Sequence, residues 1–282
     1  MVDAIPHRRP TWSAFASNEV DLAITARHVM TPMSEAVALA EDTPSNVAAS
    51  HLRSLGFDQA PVGSGNDLRG YALVRELEDG PGRTVRDVLH QLEPRILVGE
   101  EATVETLLHA FLGADMLFVV GKHEVAGFVT QSDLGRPAVR VHFYLHIADL
   151  EMALAEKVRR RFGDGSEAVA LLADERRNVI LERHAEAQRL DVDLDYVSDM
   201  DLSDLIRIVG ASPDLRVIFG ASSRRSWQDR VGRLVELRNY VMHPTKTDLP
   251  LWSDVGQLAS AEATIRSLIA EAGNTRTESG PP

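Results

Sequence analysis

Thr25-Ala26-Arg27-His28-Val29-Met30 is answered 59 positions later by Thr84-Val85-Arg86-Asp87-Val88-Leu89, with threonine, arginine and valine recurring in place. At the same offset Glu41-Asp42 meets Glu100-Glu101, and near the end of each copy Gly70-Tyr71-Ala72-Leu73 is matched by Gly127-Phe128-Val129-Thr130. Repetition over this length signals two copies of one supersecondary unit. In the second copy the apolar pattern predicts a short strand over Arg95 to Val98, a helix over Ala102 to Leu112, and buried strands over Met116 to Val120 and Val125 to Thr130. Ser132-Asp133 then opens the next turn, so each copy reads strand, helix, strand, strand, helix.

Outward from the repeat the texture changes on both sides. Residues 1–20 scatter Pro, His, Arg and Ser without period and read as an arm. From Arg140 glycine thins out and apolar residues fall at helical spacing. Leu145, Ala148, Met152, Ala155 and Val158 predict one face of a first helix, with Arg159 to Arg161 in its last turn before Gly163. A second helix is predicted over Ser166 to Leu190, and a short one at Leu202, Leu205, Ile206 and Val209, entered by a Ser198/Asp201 capping box and stopped by Gly210. A long helix over Trp227 to Met242 and a last one over Ser253 to Ala272 complete a bundle, and residues 274–282 read as a disordered tail. The expected class is α+β: a repeated βαββα domain over 21–138, then an all-α helical bundle over 139–273.

At 282 residues the chain is long enough for two domains with their own cores. No run approaches a membrane span, and the N-terminus lacks the layout of a secretory signal, so the expected location is cytoplasmic, with no membrane partner. The absence of cysteine removes disulfides, thiolate zinc sites and catalytic thiols. The net charge of −12 argues against a protein coated by nucleic acid. Six arginines nevertheless fall between Arg216 and Arg238, at 216, 224, 225, 230, 233 and 238. Such a patch suits phosphate; it also fits a chain that simply favours arginine, since Lys122, Lys157 and Lys246 are its only lysines.

In the second copy the closing motif runs Gly127-Phe128-Val129-Thr130-Gln131-Ser132-Asp133-Leu134. Gly127 allows close backbone approach, and the strand ends at a helix N-terminus, where amides favour an anion. The repeat, the order of elements, the lead-in Val29-Met30-Thr31-Pro32 and this closing motif together resemble a tandem pair of CBS domains over residues 22–138. The resemblance implies a regulatory adenine nucleotide (AMP, ADP, ATP or a related adenosyl ligand) held by Thr130 at its phosphate and Asp133 at its ribose diol, beside Gly127. The plainer reading is that Thr130 and Ser132 cap the helix and Asp133 sits in its first turn. The first copy departs from the motif, with Leu73 at the hydroxyl position and Glu76 at the carboxylate position, so its site is expected to be impaired.

The other constellation is Leu234-Val235-Glu236-Leu237-Arg238-Asn239-Tyr240-Val241-Met242-His243-Pro244. Pro244 disfavours the α conformation at His243, so the helix should end or loosen there. On an unbroken helix Arg238 and His243 would stand about 140° apart; a loosened last turn would bring both to one cleft. Arg-Asn-x-x-x-His, here Arg238, Asn239 and His243, resembles the signature of HEPN domains, and the bundle over 140–273 resembles their arrangement. That resemblance implies a metal-independent endoribonuclease of toxin or antiviral type, working as a homodimer on RNA, and relatives of this type often have a neutralising protein partner. An imidazole near pH 6.5 suits the proton steps, and Arg238 the phosphate oxygens; Asn239 could position either, and the product would carry a 2′,3′-cyclic phosphate. The competing assignment pairs Arg238 with an acid such as Glu151 and leaves His243 to cap the helix, in a non-catalytic module that binds nucleotide and a macromolecular partner.

Two metal signals are set aside. His142, His146 and Asp149 at i, i+4 and i+7 could hold an ion on one helical face, but such spacing is more often a solvated or packed face, and no metal site is expected. Asp191-Val192-Asp193-Leu194-Asp195 starts like a calcium loop, but Tyr196 and Leu202 stand where glycine and glutamate are needed. Arg136-Pro137, between the two halves, is expected to carry any signal from a bound nucleotide.

Overall fold

The computed structural model describes residues 24–79, 82–243 and 254–274. The arm expected at 1–20 lies outside the described residues, as does the tail expected at 274–282 apart from Asn274. Two compact units divide the described residues: 24–142 with 254–262, and 143–243 with 263–274.

The first unit holds both repeats. Helix α1 (Ala26–Val29) leads into strand β1 (Thr31–Pro32); α2 (Ser45–Ser54), β2 (Gln59–Val62), β3 (Gly70–Leu73) and α3 (Val74–Leu77) complete the first copy. A 3-10 turn at Val85–Val88 then leads into β4 (His90–Gln91), followed by β5 (Leu97–Gly99), α4 (Val104–Ala110), β6 (Met116–Val120) and β7 (Val125–Thr130). The predicted strand at Arg95 to Val98 is displaced, because Pro94 with its fixed φ opens a 3-10 turn through Ile96. Helix α4 is shorter than expected: Thr103 caps it by accepting from the Thr106 amide at 3.2 Å, and Phe111 already stands at its C-cap.

The strands form two sheets, ordered β1-β7-β6-β5 and β2-β3-β4. Each leading strand crosses to the other copy: β1 pairs with β7 (Thr31 opposite Phe128, Pro32 opposite Gly127), and β4 pairs with β3 (His90 opposite Tyr71, Gln91 opposite Gly70). The entry helices repeat the exchange. Ala26 and Arg27 donate their amides to the carbonyls of Ala102 and Glu100, while Val85 and Arg86, 59 residues on, donate to Thr43 and Glu41. Gly70 and Gly127 make the crossings possible. A Cβ on Gly70, at φ +151, would stand 1.8 Å from the His90 carbonyl oxygen, and one on Gly127 would stand 2.5 Å from that of Thr31. Around the first copy, Leu39, Ala48, Leu52, Val62, Ala72, Leu77 and Val85 form an apolar core.

Helix α5 (Pro137–Phe162) runs from the first unit into the second, and Gly163, at φ +61, ends it in the left-handed conformation. Its buried residues are Val139, Phe143, Ile147, Leu150, Leu154, Ala155 and Val158, together with His142, His146, Asp149 and Lys157. The predicted face is therefore corrected: Met152 is exposed, and the burial is too broad for a single amphipathic stripe to describe.

The helix expected over Ser166 to Leu190 is two, α6 (Ser166–Val169) and α7 (Asp174–Arg189), divided by a turn that buries Leu172 before Asp174 and Glu175 start the new helix. Helix α8 (Leu202–Ala211) is capped by Asp201, whose carboxylate accepts from the amides of Ser203 and Asp204 while Asp204 accepts from that of Asp201. Ser198 instead bonds to Asp195, so the expected Ser198/Asp201 box is replaced by one starting at Asp201. Gly210 does not stop this helix; it admits Trp227, whose Cδ1 would lie 2.8 Å from an added Cβ.

Helices α9 (Pro213–Ile218), α10 (Arg224–Val231), α11 (Leu234–Met242) and α12 (Val255–Asn274) follow. The long helix expected from Trp227 to Met242 is thus divided at Gly232 and Arg233, both of which keep right-handed helical dihedrals. Trp227 is buried and donates its indole N–H to the Ile206 carbonyl at 2.8 Å, tying α10 to α8. Among the described residues no helix is long and apolar enough to cross a membrane.

Candidate functional site

Between the crossed strands of the first unit lies a cleft of about 680 Å³, within the range of small-molecule sites. Its walls come from both copies. The lead-in supplies Thr31 and Val37, the first copy Phe57, Pro61, Leu73 and Arg75, and the second copy Asp115, Phe128, Thr130, Asp133 and Arg136. Apolar carbons at Val37, Pro61, Leu73 and Phe128 therefore face the same space as a hydroxyl, carboxylates and guanidinium groups.

The closing motif builds its polar end. Strand β7 stops at Thr130, whose amide and hydroxyl both donate to Asp133 Oδ2, at 2.7 and 2.8 Å. The other oxygen, Oδ1, accepts from Arg136 at 2.7 Å. Arg136 reaches further, to the Met30 carbonyl at 3.1 Å and the Thr31 hydroxyl at 2.7 Å. Asp133 thus sits in the first turn, as the plainer reading had it, but the reciprocal cap joins Thr130 to Asp133 rather than involving Ser132, and both Thr130 and Asp133 also line the cleft. Gly127 stands apart from the lining: its missing side chain makes room for Thr31 and Met30 of the chain itself. Arg136, Thr31 and Met30 escaped assignment to the site from sequence because their contacts span more than 100 positions; the one local signal was an arginine three residues after Asp133.

The repeat-related position is built differently. Glu76 pairs with His90 at 2.7 Å, and the His90 ring stacks on Tyr71 with centroids 4.7 Å apart. A smaller cleft of about 280 Å³ there is lined by Tyr71, Leu89, His90, Glu93 and Arg95 among others. Burial, followed by the nearby Asp115 charge, raises the Tyr71 phenol above its ordinary value, so this wall stays neutral. Leu73, the residue replacing the hydroxyl, is buried and forms a wall of the larger cleft instead.

In the second unit Arg238 and Asn239 sit side by side on α11, with Arg238 Nη1 3.4 Å from Asn239 Oδ1. Arg238 Nε lies 3.6 Å from Glu151 Oε1 on α5, and the same carboxylate oxygen accepts the Leu202 amide at 3.3 Å at the start of α8. Burial raises the Glu151 carboxyl above its usual range, and Arg238 opposes that. His243 is exposed at the C-cap of α11, its amide bonded to the Tyr240 carbonyl. The helix keeps its regular course to Met242, so the loosening comes only at His243; Pro244 lies outside the described residues. Of the six arginines expected as a phosphate patch, Arg230 is bound to Glu271 and Ser267 and Arg216 to the Gly210 carbonyl, while Arg224, Arg225 and Arg233 are exposed. His142, His146 and Asp149 are buried, which sets aside the solvated face; His142 lies 3.1 Å from Glu262.

No family model and no curated protein matches the chain. Solved structures of CBS-domain proteins do resemble part of it. The CBS domain of the bacterial CNNM/CorC family Mg2+ transporter, solved in complex with ATP, is 24% identical, with a TM-score of 0.38, over 46% of this chain and 94% of that one. CBSX2 in complex with AMP is 19% identical, with a TM-score of 0.36, over 42% of this chain and 98% of that one. A hemolysin-like CBS-domain protein of Oenococcus oeni PSU is 16% identical, with a TM-score of 0.36, over 42% of this chain and 91% of that one.

Proposed function

We propose that the first unit is a tandem CBS pair that binds one adenine nucleotide and regulates the helical unit joined to it. The observation that carries this is the cleft in which Thr130 and Asp133 stand opposite apolar walls from both repeats. An adenine base suits Val37, Pro61, Leu73 and Phe128; a ribose diol suits a carboxylate acceptor; a phosphate suits the Thr130 hydroxyl and the neighbouring guanidinium. The self-paired Glu76 and His90 support a single firm site rather than two. Titration calorimetry of the whole chain with AMP, ADP, ATP and S-adenosylmethionine tests this. One site lost in Asp133→Asn is expected; two equivalent tight sites, or no binding, would overturn it.

For the helical unit we favour a HEPN-like endoribonuclease that acts as a homodimer without metal. Its support is specific: Arg238 is only half-buried, Asn239 adjoins it and His243 is exposed, so all three are accessible to a strand of RNA. His243 would move the protons and Arg238 would hold the phosphate oxygens as the 2′-hydroxyl attacks, releasing the 5′-oxygen and leaving a 2′,3′-cyclic phosphate. The Glu151 pair gives Arg238 a second orientation partner and equally suits a non-catalytic bundle. Purified protein incubated with total RNA in EDTA, beside His243→Ala and Arg238→Ala, separates the two. Cleavage that persists unchanged in both variants ends the catalytic reading.

A further inference from the structure

Arg136 takes part in two otherwise separate things, the carboxylate of the closing motif and the strand that crosses over from the other copy. Its guanidinium occupies Asp133 Oδ1, the Met30 carbonyl and the Thr31 hydroxyl together. Both oxygens of Asp133 are therefore engaged by the protein itself, Oδ2 by Thr130 and Oδ1 by Arg136. Asp133 keeps only about 12% of its side-chain surface exposed, whereas Arg136 keeps 38%, so the arginine is the partner that can swing away. The next residue, Pro137, is the first of helix α5.

We infer that Arg136 is an exchangeable latch that selects for a phosphorylated ligand: its guanidinium, paired with Asp133, holds the place that a ribose diol would take, and a nucleotide displaces it there while giving it a phosphate to hold. The inference rests on the nucleotide reading above and adds the residue that decides between nucleoside and nucleotide. A nucleoside must break the Arg136 ion pair and offers the guanidinium nothing in return. A nucleotide replaces a carboxylate partner with a phosphate, which binds arginine in the same forked manner. The move also releases Met30 and Thr31, so occupancy of the cleft is read out at the root of α5 and at strand β1. No covalent step is involved.

Calorimetry with adenosine and AMP on the whole chain, as wild type, Arg136→Ala and Thr31→Val, tests this directly. The wild type should favour AMP over adenosine by about tenfold or more, the range of a charge-assisted contact. Arg136→Ala should bind adenosine several-fold more tightly than wild type and lose most of its preference for AMP. Thr31→Val, which removes one tether but keeps the charge, should tighten both ligands modestly and keep the preference. A merely structural arginine would weaken both ligands together; that result, or an Arg136→Ala protein with its preference for AMP intact, overturns the latch while the nucleotide site stands. If neither wild type nor Arg136→Ala binds either ligand, with far-ultraviolet circular dichroism unchanged, the nucleotide reading falls and the latch with it.

Discussion

Asp149 on α5 is 1% exposed, and its Oδ2 has no hydrogen-bond partner among the described residues. Burial pushes its carboxyl up to about 6, so the folded protein holds a proton there that an unfolded chain, titrating near 3.9, gives up. The contribution is therefore intact below about pH 4 and is lost as the pH rises through about 6. Asp149→Asn should abolish this dependence: its stability advantage over wild type should grow by roughly 2 kcal/mol between pH 4.5 and 7. Urea unfolding at both pH values measures it, and a difference that stays flat would show that Asp149 is charged and solvated. Asp195 has the opposite sign. Burial works against its charged form, but hydrogen bonds from Arg159 and Ser198 outweigh burial and pull it down to about 2. Its stabilisation is present above about pH 4 and fades as the pH falls toward about 2. Arg159→Met should remove this acid sensitivity along with some stability at neutral pH, visible in acid unfolding curves.

Elements as short as β1 and β4 are held by what crosses them rather than by their own length. Each has two residues, well below an ordinary strand, and each lies against a glycine of the other copy. Gly70→Ala should cost about 3 kcal/mol, because its Cβ meets a carbonyl oxygen of β4 at 1.8 Å and its φ of +151 suits glycine alone. Gly127→Ala should cost less, roughly 1–2 kcal/mol, since part of its clash is with the flexible Met30 side chain. Urea midpoints of the two variants should fall in that order; equal midpoints would contradict the crossing geometry. The same strands mark where sequence stopped being informative. The 59-residue offset, the order of elements and the closing motif were all legible, because side-chain pattern carries them. That β1 and β4 change partners was not, because two residues hold no period and hydrogen-bond exchange leaves no compositional trace. In the helical unit the division between α10 and α11 leaves no mark in the pattern, because the apolar steps at Val231, Leu234 and Val235 continue across Gly232 and the backbone there stays right-handed helical. Of the residues lining the cleft, Thr130 and Asp133 stand in the closing motif whose resemblance singled them out, whereas the sequence alone does not place Arg136 there, its partners being set by the fold.

For the molecule as a whole, regulation demands that nucleotide favour one state over another, since a ligand with equal affinity for both shifts nothing. At a hundredfold excess over its dissociation constant, AMP should stabilise the unit that binds it by about 2.7 kcal/mol. Calorimetric melting should therefore show an AMP-dependent rise in the transition of the first unit, and the regulatory reading requires the helical unit's transition to move as well. Movement of the first transition alone would leave a nucleotide binder that regulates nothing. The two repeats meanwhile share a mechanical fate while differing in chemistry. Since β1 closes the sheet of the second copy and β4 that of the first, excising either copy would strip the survivor of an edge and leave backbone amides facing water. Leu73 and Glu76 can thus stand where the other repeat has Thr130 and Asp133 without making either repeat dispensable: whatever its side chains do, each is the scaffolding that completes its neighbour.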